Sequence, residues 1–128
     1  MSCELDGFSW VVDPLDGSSN FLRNIPISCF SISLMRDLTP VLGVIFDFNN
    51  SDLYSAHKES KAYVNDIEIS VSSTKLKKES TLVTGIPAKD NYYDNEFKNM
   101  ISDFQSWKKI RMIGSATMAS LYVASGKA

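Results

Sequence analysis

The first half of the chain alternates apolar and polar residues with the period of a β-strand. Phe30, Ile32 and Leu34 alternate with Ser31 and Ser33, the pattern of a strand with one richer face. Residues 41–48 follow, with Leu42, Val44, Phe46 and Phe48 sharing a face. Shorter runs at 53–57, 62–64 and 67–71 complete the series, after an apolar strand at 10–12. Turn residues separate them: 36–40 with Pro40, 49–52 with two asparagines, the polar stretch 58–61, and Asn65-Asp66. This reads as an antiparallel meander of about five strands with ordinary loop lengths.

The pattern then changes character. Residues 72–80 form a polar connector whose Lys75, Lys77 and Lys78 read as a solvated face, and 81–84 reads as a strand ending at Gly85 and Pro87. From 92 to 107, Tyr93, Phe97, Met100, Ile101, Phe104 and Trp107 repeat at helical spacing, so the stripe is expected to pack into the core. A short strand at 110–113 leads to Gly114-Ser115, which opens a second helix over 116–124. Strand, helix, strand, helix in that order calls for a parallel crossover unit. The fold class is therefore α/β. One domain is expected over 1–128, with an antiparallel sheet at about 8–71 and a βαβα part at about 81–128.

Composition excludes several function classes. At 44% hydrophobic and 22% charged, the chain has the balance of a globular domain able to bury roughly two-thirds of its unfolded surface. A net charge of −2 and the lack of any basic run argue against nucleic acid, and no apolar stretch is long enough to span a membrane. The start of the chain has no charged segment followed by an apolar core, so a cytoplasmic protein is expected. Cys3 and Cys29 read as two reduced thiols, and His57, the single histidine, as a surface residue of a hairpin.

The chemistry concentrates in residues 10–21, which read Trp-Val-Val-Asp-Pro-Leu-Asp-Gly-Ser-Ser-Asn-Phe. Two carboxylates three apart leave an apolar strand and run into a Gly-Ser turn. Asp-Pro and Asp-Gly are ordinary turn dipeptides, which is one reading. The other is a site for hard cations and phosphate. Mg²⁺ takes a few carboxylates plus waters and substrate oxygens, and two ions about 4 Å apart can serve the attacking and leaving oxygens of a phosphoryl group. Asp13 could bridge two ions, Pro14 removes a competing N–H, the Leu15 carbonyl could face a metal, and Asp16 could complete a second one. The N–H groups of Gly17 and Ser18 could cradle phosphate at the start of a short helix.

The full run resembles the metal-binding signature of the inositol monophosphatase family, Asp-Pro-[Ile/Leu]-Asp-Gly-[Thr/Ser]-[Thr/Ser]-Asn-Phe. Two further segments resemble the same family. One is Gly43-Val44-Ile45-Phe46 with Asp52-Leu53-Tyr54-Ser55-Ala56 and Lys61-Ala62-Tyr63-Val64-Asn65; the other is Arg111-Met112-Ile113-Gly114-Ser115-Ala116 leading to Leu121-Tyr122-Val123-Ala124-Ser125-Gly126. The resemblance implies the central part of a layered α-β-α-β-α sandwich and Mg²⁺-dependent hydrolysis of inositol monophosphate or a related sugar phosphate. It implies Asp13 and the Leu15 carbonyl as ligands of a first metal, and Asp13 and Asp16 as ligands of a second. Gly17 and Ser18 would hold the phosphate, with the Ser18 hydroxyl orienting the attacking water. Asp13, Asp16 and Ser18 are thus the implied catalytic residues, and Gly114, Ser115 and Ala116 the lining of a substrate hydroxyl pocket. Ser115 reads equally well as a plain helix cap, and Arg111 as a structural ion-pair partner. A homodimer is a further implication of the resemblance.

Two parts of the family pattern lack a counterpart. No Glu-Glu pair stands before Trp10, where only nine residues precede it, and Glu4 is not expected to substitute. No Trp-Asp motif with a third metal aspartate follows Gly126. The expectation is half of a two-metal centre, with weak metal affinity, little or no turnover by the chain alone, and apolar sheet surface that favours association. A non-catalytic module of the same fold is the competing reading. A fructose-1,6-bisphosphatase or a 3′-phosphoadenosine-type nucleotidase is the alternative within the superfamily.

Overall fold

The structure, a computed structural model, describes residues 4–5, 7–87, 91 and 93–128, with side chains from residue 7 onward. Seven strands form one antiparallel sheet in chain order: β1 (Glu4–Leu5), β2 (Phe8–Asp16), β3 (Cys29–Arg36), β4 (Thr39–Asp47), β5 (Asp52–His57), β6 (Ala62–Val64) and β7 (Ile67–Ile69). A short helix α1 (Ser18–Phe21) interrupts the path from β2 to β3. Beyond a single 3₁₀ turn at Lys77–Glu79 come β8 (Thr81–Thr84), α2 (Asp94–Gln105), β9 (Lys109–Met112) and α3 (Ala116–Ala124). β8 and β9 pair in parallel across α2, as the strand–helix–strand pattern requires.

The sheet has more strands than the meander expected from the sequence, and two of them run through segments that read as turns. The added strand is β1, and each of the two extensions contains a proline. Pro14 sits in β2 where the register slips between Asp13 and Asp16, and Pro40 sits in β4 where the register slips between the Leu34–Leu42 and Met35–Pro40 pairs. A bulge frees a residue from the hydrogen-bond ladder, so a proline without an N–H costs the sheet nothing there. The β3–β4 connection consequently shrinks to Asp37-Leu38, between the opposed residues Arg36 and Thr39.

That turn carries strain. Asp37 (φ 47°) and Leu38 (φ 66°) both adopt left-handed backbone, the signature of a type I′ hairpin, and Leu38 is 93% exposed. Leucine gains nothing there from burial and bears the steric cost of its Cβ. Leu38→Gly is expected to raise stability by about 1 kcal/mol. A higher urea midpoint with an unchanged slope checks this, and a lower midpoint contradicts it. Asn65-Asp66 makes the equivalent turn between β6 and β7 with residue types that tolerate it (φ 47° and 67°).

The core lies where α3 crosses the sheet. Met118 and Leu121 of α3 pack on Cys29 and Tyr54, flanked by Ile27, Ile45, Val64, Ile69, Ile113 and Tyr122. Residues directly opposed on neighbouring strands point to one face, and the register aligns Asp13, Ser31, Ile45, Tyr54 and Val64 in one row. Asp13 therefore stands on the face that α3 covers. Cys29 is fully buried, and burial pushes its thiol up to about 11, with the Asp16 charge adding to the effect. Cys3 lies outside the described residues, and His57 is exposed at the end of β5, as its hairpin position suggests.

One expectation about packing is overturned. The apolar stripe of α2 does not enter the core: Tyr93 is 77% exposed, Phe97 49% and Ile101 39%, and no residue of the helix is buried. Helical spacing shows that one face is apolar but not what covers it. α2 is tied down at its C-terminal end instead, where Lys77 pairs with Asp103 and lies over the Trp107 ring while the Trp107 indole N–H donates to Asp103. Lys77 is thus more than part of a solvated face. Among the described residues, no helix is long and apolar enough to cross a membrane.

Candidate metal and phosphate site

Asp13 and Asp16 close β2, and the bulge between them sets their directions. The Leu15 N–H donates to Asp13 Oδ1 at 3.2 Å, a local turn around Pro14, while Asp13 itself stays exposed. Gly17 then reverses the chain at φ 80°, so that the Gly17 and Ser18 carbonyls accept from Phe21 and Leu22 and close α1. Gly17 is buried, and a Cβ there would lie 2.6 Å from the Ile27 carbonyl. Ser18, on the outer side of this turn, is exposed.

Asp16 is engaged far along the chain. Its Oδ2 accepts from the Ser115 hydroxyl at 2.7 Å and from the Thr117 N–H at 2.6 Å, at the N-terminus of α3. Burial favours the neutral acid. Hydrogen bonds from Ser115, from the Thr117 N–H and side chain and from the Gly17 N–H outweigh it and hold the carboxyl below its usual range. The Gly17 N–H, read from the sequence as a phosphate donor, is the smallest of these contributions. Ser115 adopts extended backbone and caps α3 by accepting from the Met118 N–H at 3.1 Å, so the helix-cap reading of this residue holds.

A second stitch was not legible in the sequence. The Asn20 amide donates to the Ile27 carbonyl at 3.0 Å and to the Ile113 carbonyl at 2.7 Å, tying α1 to the loop between β9 and α3. Gly114, at φ 73°, lies against this amide, and a Cβ there would come within 3.1 Å of it. Asn20 stands inside the Ser-Ser-Asn-Phe run, but no local pattern announces a bond spanning 93 residues. Asp47 was also missed. It is buried, and its carboxylate accepts from the backbone and side-chain N–H groups of Asn49 and Asn50, which fixes the β4–β5 turn.

Two clefts meet over the first turn of α3. One, of about 430 Å³, is lined by Asp13, Ser31, Ser33, Ala116, Thr117 and Ser120, among others. The other, of about 390 Å³, is lined by Gly114, Ser115 and Ala116 with Thr84 and Gly85. The structure therefore brings Asp13, Asp16, Gly17, Ser115 and Ala116 to one end of α3. It leaves Arg111 exposed, donating to the Ile110 carbonyl. Among the described residues, no group of three or more His, Cys, Asp or Glu side chains converges as a cation cage. The side chain of Glu4 lies outside the described set.

Comparison with known proteins gives a consistent result. A sequence model of the inositol monophosphatase family matches residues 2–128. The chain is 34% identical to inositol monophosphatase 2 of Saccharomyces cerevisiae, over 94% of this chain and 45% of the yeast protein. It is 36% identical to the Nus factor SuhB of Xylella fastidiosa, over 93% of this chain and 44% of that protein. The structure superposes on the inositol monophosphatase of Anabaena (Nostoc) with a TM-score of 0.86 at 31% identity, covering 95% of this chain and 50% of the other. The chain spans about half the length of the relatives it matches.

Proposed function

Since the chain belongs to the inositol monophosphatase family, we propose that residues 1–128 form one domain carrying part of a Mg²⁺-dependent phosphomonoesterase centre for inositol monophosphate or a related sugar phosphate in the cytoplasm. The observation that supports this best is that Asp16 is bonded to the start of α3 while Asp13 lines, with Ala116 and Thr117 of the same helix turn, a cleft open to a small ligand.

The donor set suits one hard cation. Asp13, Asp16 and the Leu15 carbonyl offer oxygens alone, and Mg²⁺ binds through one or two carboxylates while keeping several waters. Three groups are too few for two ions, so the chain supplies half of a two-ion centre. When bound, Mg²⁺ would neutralise charge on the phosphoryl oxygens. The residues do the rest. Asp13 and Asp16 hold the cation, the exposed Ser18 hydroxyl orients a water, and Gly114 and Ala116 shape the hydroxyl pocket. The positive end of the α3 dipole favours an anionic ligand nearby.

Calorimetric titration with inositol 1-phosphate, with and without Mg²⁺, tests the proposal. Binding that requires Mg²⁺ and disappears in Asp13→Asn is expected, with little phosphate release from the chain alone. Binding that is unchanged without the metal, or in the variant, refutes it. A non-catalytic module of the same fold is the second reading, favoured by the two-carboxylate donor set and by the likeness to a Nus factor. It predicts no Mg²⁺-dependent binding of the ester.

A further inference from the structure

The Ser115 hydroxyl has one proton and two lone pairs. The proton goes to Asp16 Oδ2, one lone pair takes the Met118 N–H, and the residue is only 5% exposed. No hydrogen-bond donor remains for a substrate hydroxyl. The Thr117 N–H is a second donor onto the same carboxylate oxygen. Two bonds on Oδ2 fix the rotation of the Asp16 side chain. Both come from α3, which the core anchors through Met118 and Leu121. Asp16 is thereby held by the start of a helix about 100 residues away in sequence, as well as by its own turn.

We propose that Ser115 and the Thr117 N–H are positioning groups that hold Asp16 in place for a divalent cation, and that the Ser115 side chain is not a substrate contact. The inference rests on the metal reading of Asp13 and Asp16. Groups that orient a ligand side chain act through geometry, and their loss lowers metal affinity without removing a donor.

Mn²⁺ titration of the 128-residue chain, following the free-ion electron paramagnetic resonance signal, provides the test. Ser115→Gly removes the hydroxyl but keeps an acceptable helix cap, so the melting temperature should move little. Affinity for Mn²⁺ is expected to fall about tenfold. Ser115→Thr, which keeps the hydroxyl and suits the extended backbone, is expected to restore it. Should Ser115→Gly fail to fold, Thr117→Pro removes the Thr117 N–H and hydroxyl, the other donors from α3 onto Asp16, in the first helical turn, where proline is tolerated, and the same fall is expected. Wild-type affinity in the folded Ser115→Gly or Thr117→Pro variant, with binding lost in Asp13→Asn, overturns this inference alone. Binding that survives Asp13→Asn, or a wild-type chain that binds no Mn²⁺, overturns the metal reading and this inference with it.

Discussion

Alanine in place of Gly17 is expected to destabilise the fold by about 3 kcal/mol, the largest loss of stability anticipated from any single methyl group in this chain. Two costs combine. The backbone at Gly17 has φ 80°, a region that costs an L-residue about 1–2 kcal/mol. The added Cβ would also lie 2.6 Å from the Ile27 carbonyl and 3.2 Å from the Ser28 Cα, both backbone atoms. They cannot yield without moving the start of β3, where Ser28 and Cys29 are buried against α3. Overpacking of this kind typically costs a further 1–3 kcal/mol, roughly. Gly43→Ala is the control, since a Cβ there meets nothing within 4 Å. Urea unfolding of both variants checks the difference. Equal midpoints would mean that the Gly17 turn can relax, and that the bulge, α1 and the start of β3 are not a rigid unit.

Rigidity at this turn matters because of what it carries. Gly17 lies between Asp16, clamped to α3, and α1, whose Asn20 is bonded to the loop that begins α3. The turn is therefore gripped on both sides by the same distant segment. A shift at Gly17 would displace both the carboxylate and the amide.

The strands were legible where a simple alternation governed them. The serines at 31 and 33 mark the polar positions of β3, and Asn65-Asp66 forms a turn because those residues accept left-handed backbone. Pro14 and Pro40 misled the reading, since a proline reads as a chain break and a bulge hides its missing N–H. The apolar stripe of α2 showed a helix, correctly, but spacing carries no information about a covering layer. Around the site, the resemblance picked out Asp13, Asp16, Gly17 and the Gly114-Ser115-Ala116 segment as one constellation, and the structure places them around one end of α3. Physical reading of the sequence alone could not have joined them, because the bonds from Ser115 and Thr117 to Asp16 span 99 and 101 residues. The same distance concealed the tie from Asn20 to Ile113.

Removing one carboxylate should have the largest functional effect. Asp13 is exposed, on the α3 side of the sheet, at the rim of the cleft that Thr117 also lines. Its Oδ1 accepts one weak turn bond from the Leu15 N–H. Asn at this position keeps the size, the turn bond and the fold, and removes only the charge. Changes to groups that merely orient a ligand cost about 10- to 100-fold in metal affinity, so loss of a ligand charge is expected to cost at least about 100-fold. Stability should barely change, which separates the metal role from the structural role of Asp16. The direct measurement is the free-ion signal during Mn²⁺ titration of the wild-type and Asp13→Asn chains, with Mg²⁺ as competitor. A weak, saturable site displaced by Mg²⁺ and absent from the folded Asp13→Asn chain is the predicted result. Equal Mn²⁺ binding by the two chains would contradict it.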